Sequence, residues 1–289
     1  ISGQLKRAVI AFAKEGAYTL MYKGQRSDMG YVNGLLGRRP EDPRLRNAFS
    51  DAEKAGVEVL FTIEDFDPIV PNISHITLEN AEGEKVIIYS DSTGGGTVKL
   101  LAIDGFDVAI LGDCYELLLR TDCGEAENQS IFQKINALLP CTEGHSISTK
   151  GKQGLINLKY RTACPKEFLQ QLQSMEHITD VKQLEPILAV PSNRQANIPF
   201  ESAEEMLQLA EKENKELWEL AIEYEMARSG WSYEQVYSYM ESVVKTMEYS
   251  STEALKGDID MSGILSPTAG KIESYVKKNP KAIDMGVLN

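Results

Sequence analysis

Val86-Ile87-Ile88-Tyr89-Ser90-Asp91-Ser92-Thr93-Gly94-Gly95-Gly96-Thr97-Val98-Lys99-Leu100-Leu101-Ala102-Ile103 sets three consecutive glycines between two apolar, β-branched runs. Glycines there supply nothing to pack and cost backbone entropy, so they mark positive φ or the close approach of another group. One reading is a wide hairpin turn between two antiparallel strands. The other is a nest at Ser92, Thr93, Gly94, Gly95 and Gly96 whose consecutive N–H groups hold a carboxylate or phosphate. A glycine run alone does not separate the two.

Upstream, Ala8 to Ala13 is a continuous apolar run of strand length that Gly16 ends. Met29, Val32, Leu35 and Leu36 recur at helical spacing, with Asp28 as N-cap and Gly37 as stop. Glu41-Asp42-Pro43 opens a second helical stretch through Leu45, Ala48, Phe49, Ala52 and Ala55, closed by Gly56. Strands are expected at Val57 to Ile63, His75 to Glu79 and Val86 to Tyr89, the last two joined by a turn at Ala81 to Glu84. This part mixes helices with a largely antiparallel sheet.

Downstream, Asp104-Gly105 marks a hairpin between Val98 to Ile103 and Phe106 to Leu111. Tyr115 to Arg120, a helix from Asn128 to Leu139, strands near Ser146 to Ser148 and Leu155 to Tyr160, a helix from Pro165 to Met175 and a strand near Ile178 to Leu184 give the order βαββαβ, a ferredoxin-like unit. Pro191 to Pro199 has linker composition. Ser202 with Glu205 forms a capping box, and Met206, Leu209, Leu217, Leu220 and Ala221 make one apolar stripe. A further helix from Ser232 carries Val236, Tyr239, Met240, Val243 and Met247, whose Met and Tyr content reads as core packing. Lys271 to Lys277 is helix-like. The fold class is α+β: an α/β domain over residues 1–112, a ferredoxin-like domain over 113–188, a linker over 189–199 and an all-α segment over 200–289.

The balance of 43 acidic against 30 basic residues, net charge −13, disfavours nucleic acid and anionic membranes as partners. No apolar run reaches the roughly 18 residues of a spanning helix, and Ile1-Ser2-Gly3-Gln4 does not read as a signal peptide, so a cytoplasmic protein is expected. Cys114, Cys123, Cys141 and Cys164 have no CxxC spacing and read as free thiols, mostly buried. No histidine pairs with a Cys or Ser nucleophile.

Taken in order, these segments resemble the iron–sulfur-dependent L-serine dehydratases: their β part, an ACT domain and the opening of their α part. Lys23-Gly24-Gln25-Arg26-Ser27-Asp28 is similar to the family's KGHGTD turn, Asn33-Gly34-Leu35-Leu36-Gly37 to its GLLG helix, Pro71-Asn72-Ile73 to its HPNT, and Ser92 to Gly96 to its SIGGG. Tyr115 to Leu188 resembles the ACT domain that some of these enzymes carry, and Phe200 to Thr246 the start of the α part.

The resemblance implies a lyase of amino-acid metabolism that dehydrates L-serine to an enamine, which hydrolyses to pyruvate and ammonia. It implies a [4Fe–4S] cluster as Lewis acid, a general base and an anion site for the substrate carboxylate. By position, Lys23, Gly24, Arg26, Ser27, Asp28, Asn72 and Ser92 to Gly96 are the candidate substrate or anion-binding residues. The family's base histidine is Gln25 here, a neutral amide that takes no proton at pH 7, Arg26 stands for the following glycine and Val70 for the HPNT histidine. The cluster cysteines are expected beyond Asn289, and Cys114 to Cys164 match none of them, so no metal ligand is expected in this chain.

Three readings remain open: part of a longer dehydratase, a subunit that joins a catalytic α subunit, or a non-catalytic regulatory or assembly protein that binds an amino acid or small anion. The isolated chain is expected to be inactive. The ACT resemblance implies a homodimer, and in Asp122-Cys123-Gly124-Glu125-Ala126-Glu127 two added carboxylates would repel an amino-acid carboxylate.

Overall fold

The computed structural model describes residues 3–40, 42–94, 96–188 and 196–256, the last four as backbone only. Gly95, Pro191 to Gln195 of the linker and the helix-like stretch Lys271 to Lys277 lie outside the described residues. Two compact units are present: residues 3–20 with 28–188, and residues 21–27 with 196–256.

The first unit holds a sheet of six strands: β1 (Leu5–Ala13), β2 (Glu58–Glu64), β3 (Ile73–Asn80), β4 (Lys85–Gly94), β5 (Thr97–Ile103) and β6 (Phe106–Ile110), in the order β2-β1-β3-β4-β5-β6. β1 pairs with β2 in parallel, and the other neighbours are antiparallel. The parallel pair needs a crossover. It is made by α1 (Tyr18–Met21), α2 (Ser27–Leu35), a 3-10 turn (Pro43–Asn47) and α3 (Ala48–Lys54). Val32 of α2 with Ala48 and Ala52 of α3 pack on Val59 and Phe61 of β2. Phe12 of β1, fully buried, lies against Tyr18, Tyr31 and Phe61. Full burial of one such ring contributes about 1.5–3 kcal/mol.

Hairpins fix the rest of this sheet. Asp104 and Gly105 both take positive φ, at 49° and 80°, as the two-residue turn between β5 and β6 requires. The Asp104 carboxylate accepts the Ile87 N–H at 2.6 Å and meets the Arg120 guanidinium, so the turn is tied to β4 and to the next layer. β6 alternates buried and exposed residues, directing Phe106, Val108 and Ile110 to one side.

A second sheet follows in the same unit: β7 (Tyr115–Thr121), β8 (Gly144–Lys150), β9 (Gln153–Tyr160) and β10 (Ile178–Leu184), ordered β10-β7-β9-β8, with α4 (Glu125–Leu138) and α5 (Lys166–Gln173) completing βαββαβ. Leu117, Leu119, Ile156 and Leu158 face Ile131, Ile135 and Leu172 from the helices. On the opposite face Leu118 and Leu155 join Ile103, Phe106, Val108 and Ile110 of the first sheet. β7 and β9 are thus covered on both sides, so burial runs nearly unbroken along both strands instead of alternating, and polar residues such as Glu116 and Asn157 are buried with the apolar ones. Helix α4 begins at Glu125 rather than Asn128, with Gly124 as N-cap. Glu125 and Glu127 therefore fall in its first turn, where the helix dipole favours negative charge.

The second unit contains α6 (Ala203–Glu213), α7 (Leu217–Ser229) and α8 (Tyr233–Lys256). Ser202 caps α6 by accepting the Glu205 N–H at 3.2 Å. The single stripe expected from Met206 to Ala221 is instead two helices, because Asn214 turns left-handed at φ 51° and Glu216 with Glu219 form a new capping box. α8 is capped by Ser232 and Gln235, each accepting the other's backbone N–H at 3.3 and 2.9 Å. Val236 is buried, whereas Met240 and Met247 are exposed and do not belong to a core.

Candidate functional site

The C-terminal end of β1, the approach to β3 and the end of β4 lie side by side in the first unit. Gly16 closes a turn by donating to the Ala13 carbonyl at 2.8 Å, and Ala17 donates to the Pro71 carbonyl at 2.9 Å. A Cβ on Gly16 would sit 3.0 Å from that first oxygen and 3.3 Å from the second, so the close approach needs glycine.

Asn72 then clips the glycine hairpin. Its Nδ2 donates to the Ser92 carbonyl at 3.0 Å, and its own carbonyl accepts the Ser92 N–H at 3.3 Å. Beyond Ser92 the strand runs on to Gly94, where φ is 91°, and Gly96 takes 78°. The Thr97 hydroxyl donates to the Gly94 carbonyl at 2.6 Å and is 2.7 Å from the Thr93 hydroxyl. Gly94 and Gly96 have the positive φ expected of this turn, where Asn72 is hydrogen-bonded to Ser92 and Thr97 to Thr93 and Gly94.

Behind that turn lies a chain of hydroxyls absent from the candidate residues. Tyr31 Oη lies 2.7 Å from Ser74 Oγ, which lies 2.8 Å from Ser90 Oγ. Ser74 and Ser90 are cross-strand partners on β3 and β4 and both are buried. The usable signal in the sequence was a pair of small polar residues inside two apolar strands, at positions that pairing would place opposite each other. Burial pushes the Tyr31 phenol up to about 12, with Tyr18 adding to the shift and Ser74 opposing it.

The folded state therefore favours the neutral phenol more than the unfolded chain does, whose phenols titrate near 10. That contribution is fully present below pH 10 and is lost between pH 10 and 12, about 3 kcal/mol in all. Urea midpoints measured from pH 9 to pH 12 should fall more steeply for this chain than for Tyr31→Phe. Parallel curves would refute the shift.

Lys23, Gly24, Gln25, Arg26 and Ser27 belong to the second unit, and Asp28 to the first. Asp28 is not the N-cap of α2; it sits in the first turn, accepting the Met29 N–H at 2.9 Å. Gln25 and Ser27 donate backbone N–H groups to the Met21 and Tyr22 carbonyls, both at 2.9 Å, so this segment is a tight turn. Arg26 holds φ 60° in that turn, a conformation that suits the glycine of the resembling motif. Arg26→Gly should stabilise the chain by about 1 kcal/mol, read as a rise in the urea midpoint, with a fall refuting this account.

Among the described residues, no two of the four cysteines fall in one group of three metal-ligating side chains. Burial raises the thiols of Cys123, Cys141 and Cys164, the last to about 11, against the thiolate that iron needs. Among the described residues, Asp113, Cys114 and Glu116 form the one group of three metal-ligating side chains. Both Glu116 oxygens are engaged there, by Lys159 Nζ at 2.6 Å and Asn157 Nδ2 at 2.8 Å, so an ammonium already supplies the positive charge.

A separate cleft of about 750 Å³ opens between the two sheets, floored by Val86, Ile88, Leu100, Leu118 and Leu155 and edged by the Asp104–Arg120 pair. Among the described residues, no helix is long and apolar enough to cross a membrane.

No protein-family model matches the chain. Over 184 residues, 61% of this chain and 81% of the relative, it is 28% identical to the L-serine dehydratase β chain of Peptoniphilus asaccharolyticus. The chain is a relative of the L-serine dehydratase β chains. A probable β chain of the same enzyme from Bacillus subtilis (strain 168) is 31% identical over 108 residues, 37% of this chain and about half (48%) of that relative. The serine-dehydratase resemblance of the motifs thus rests on similarity along much of the chain.

Proposed function

We propose that this chain is the β-type component of an iron–sulfur L-serine dehydratase, acting with a cluster-binding α part to convert L-serine to pyruvate and ammonia. The observation that carries the reading is the similarity to a β chain over 184 residues. The clip between Asn72 and Ser92, which joins two of the resembling motifs in one group, supports it. In this reading Asn72, Ser92, Thr93 and the glycines Gly94, Gly95 and Gly96 form an anion site for the substrate carboxylate. Lys23, Gly24, Arg26, Ser27 and Asp28, which match the family's KGHGTD turn by position, are further candidate substrate- or anion-binding residues. Gln25, in place of the base histidine, orients without taking the proton. The [4Fe–4S] cluster is assigned to the α part, which is supported by the lack of any metal-ligating group with two cysteines among the described residues.

The βαββαβ unit, residues 113–188 in this proposal, is an ACT domain that joins two copies of the chain. The domain over 1–112 carries the anion site, 189–199 is a linker, and 200–289 opens the α-type segment. Gln25 also favours a second reading, a regulatory protein that binds an amino acid or small anion without catalysis.

Pyruvate release from L-serine tests the proposal. The purified chain alone should give none, and the same chain co-expressed with a cluster-binding L-serine dehydratase α chain should give robust release. Release from the chain alone, or none from the co-expressed pair when it forms a complex, would overturn it.

A further inference from the structure

Helix α8 presents an apolar stripe that the described residues leave open. Tyr233, Tyr237, Met240, Val244 and Met247 follow one another at spacings of four and three, and each is between 45% and 53% exposed. At about 100° per residue these five side chains share one narrow sector of the helix. Val236, buried, and Tyr239 and Val243, half-buried, lie on the neighbouring sector, where Tyr239 meets Trp231 at 5.5 Å between ring centres. The apolar surface of α8 is thus about twice as wide as its internal partners cover.

On the far side of the stripe Glu234, Glu241 and Glu248 recur every seven residues, an edge that stays net acidic although Lys245 pairs with Glu241 at 3.3 Å. Around the helix the order is covered face, open apolar stripe, acidic edge. Such a surface is completed by a second helix packed at a shallow angle, its apolar residues at the same spacing and its flank basic.

We infer that this stripe docks a helix of another polypeptide, apolar at three- and four-residue spacing with lysine or arginine along one edge. A second copy of α8 fits poorly. Antiparallel, it would set one row of glutamates against the other. Parallel, it would bring its acidic edge to the covered Val236–Val243 side. The inference stands on α8 alone and holds whether or not the chain serves a dehydratase.

The test uses the full chain and a fluorescein-labelled helical peptide of about 25 residues, with leucines at three- and four-residue spacing and lysines on one flank. A second peptide carries glutamates in place of the lysines. Fluorescence anisotropy should show the lysine peptide binding about tenfold or more tightly than the glutamate peptide, with the gap narrowing at high salt. Val244→Asp should abolish this binding although it adds negative charge, which separates the apolar contact from simple attraction to an acidic protein. The triple variant E234K/E241K/E248K should reverse the preference between the peptides. Equal affinities, no binding, or binding unchanged by Val244→Asp would overturn the inference. So would sedimentation showing a dimer that Val244→Asp dissolves, which would identify the occupant as a second copy.

Discussion

Lys159→Met should lower the unfolding free energy by about 3–5 kcal/mol, which for a unit of this size moves the midpoint of thermal unfolding down by roughly 10 °C. Lys159 and Glu116 are cross-strand neighbours on β9 and β7, with side chains only 6% and 1% exposed. The ammonium donates to the carboxylate at 2.6 Å and to the Ala109 carbonyl of β6 at 2.8 Å, so one side chain joins the two sheets. Methionine keeps the volume but leaves a buried carboxylate with the Asn157 amide as its remaining strong donor and strips the Ala109 carbonyl of this partner.

The loss is large because a charge is stranded, not because the pair is worth that much on its own. E116L/K159M, which removes both charges, should recover most of the stability. Circular-dichroism melts of the two variants decide the matter: equal loss in both would show that the effect is packing alone.

A single added methyl at Gly154 should be nearly as damaging. Gly154 sits opposite Thr121 and Thr149 in the second sheet, and a Cβ there would run into the Asn128 amide and the Thr121 hydroxyl. Asn128 has no room to yield. Fully buried in α4, it accepts from Thr121 Oγ1 at 2.6 Å and Cys123 Sγ at 3.2 Å, and donates to Thr149 Oγ1 at 3.0 Å. Overpacking costs about 1–3 kcal/mol, and displacing the amide leaves buried polar groups unpaired at a similar further cost. Gly154→Ala should therefore lose about 3 kcal/mol of stability in urea titration, and a loss below about 1 kcal/mol would show that Asn128 repacks freely.

Local signals carried most of the element order. Gly37 and Gly56 do end helical stretches with positive φ, Asp104-Gly105 does turn a hairpin, and six segments in sequence do make βαββαβ. What failed to show were features set by residues remote in the chain or by a choice among near neighbours. Lys159 and Glu116 are 43 residues apart and look like ordinary strand charges until register places them opposite each other. The Tyr31 hydroxyl chain depends on a register between β3 and β4 and on a helix laid across both.

The Met and Tyr content of α8 suggested a core because spacing reports which side chains share a face, not whether anything covers it. Asn214 breaks α6 from α7 in a stretch rich in good helix formers, where only its tolerance of left-handed φ signals the stop. At the candidate site, the motif positions of Asn72 and Ser92 were legible, but their mutual clip was not, because Ser92 takes part in both bonds through its backbone carbonyl and N–H, not its side chain.

The place of β1 in its sheet has a consequence for how the chain is made. Its partners on either side are β2 and β3, ending at Glu64 and Asn80. β1 leaves the ribosome before both of them, and neither edge can be paired until those later strands have been synthesised. At about 5–20 residues per second, Ala8 to Ala13 waits roughly 3 to 10 s with both edges open, and roughly 3 to 13 s before its second partner is complete. During translation the most buried strand of the finished sheet is thus the segment longest available to chaperones and to sticking between nascent chains.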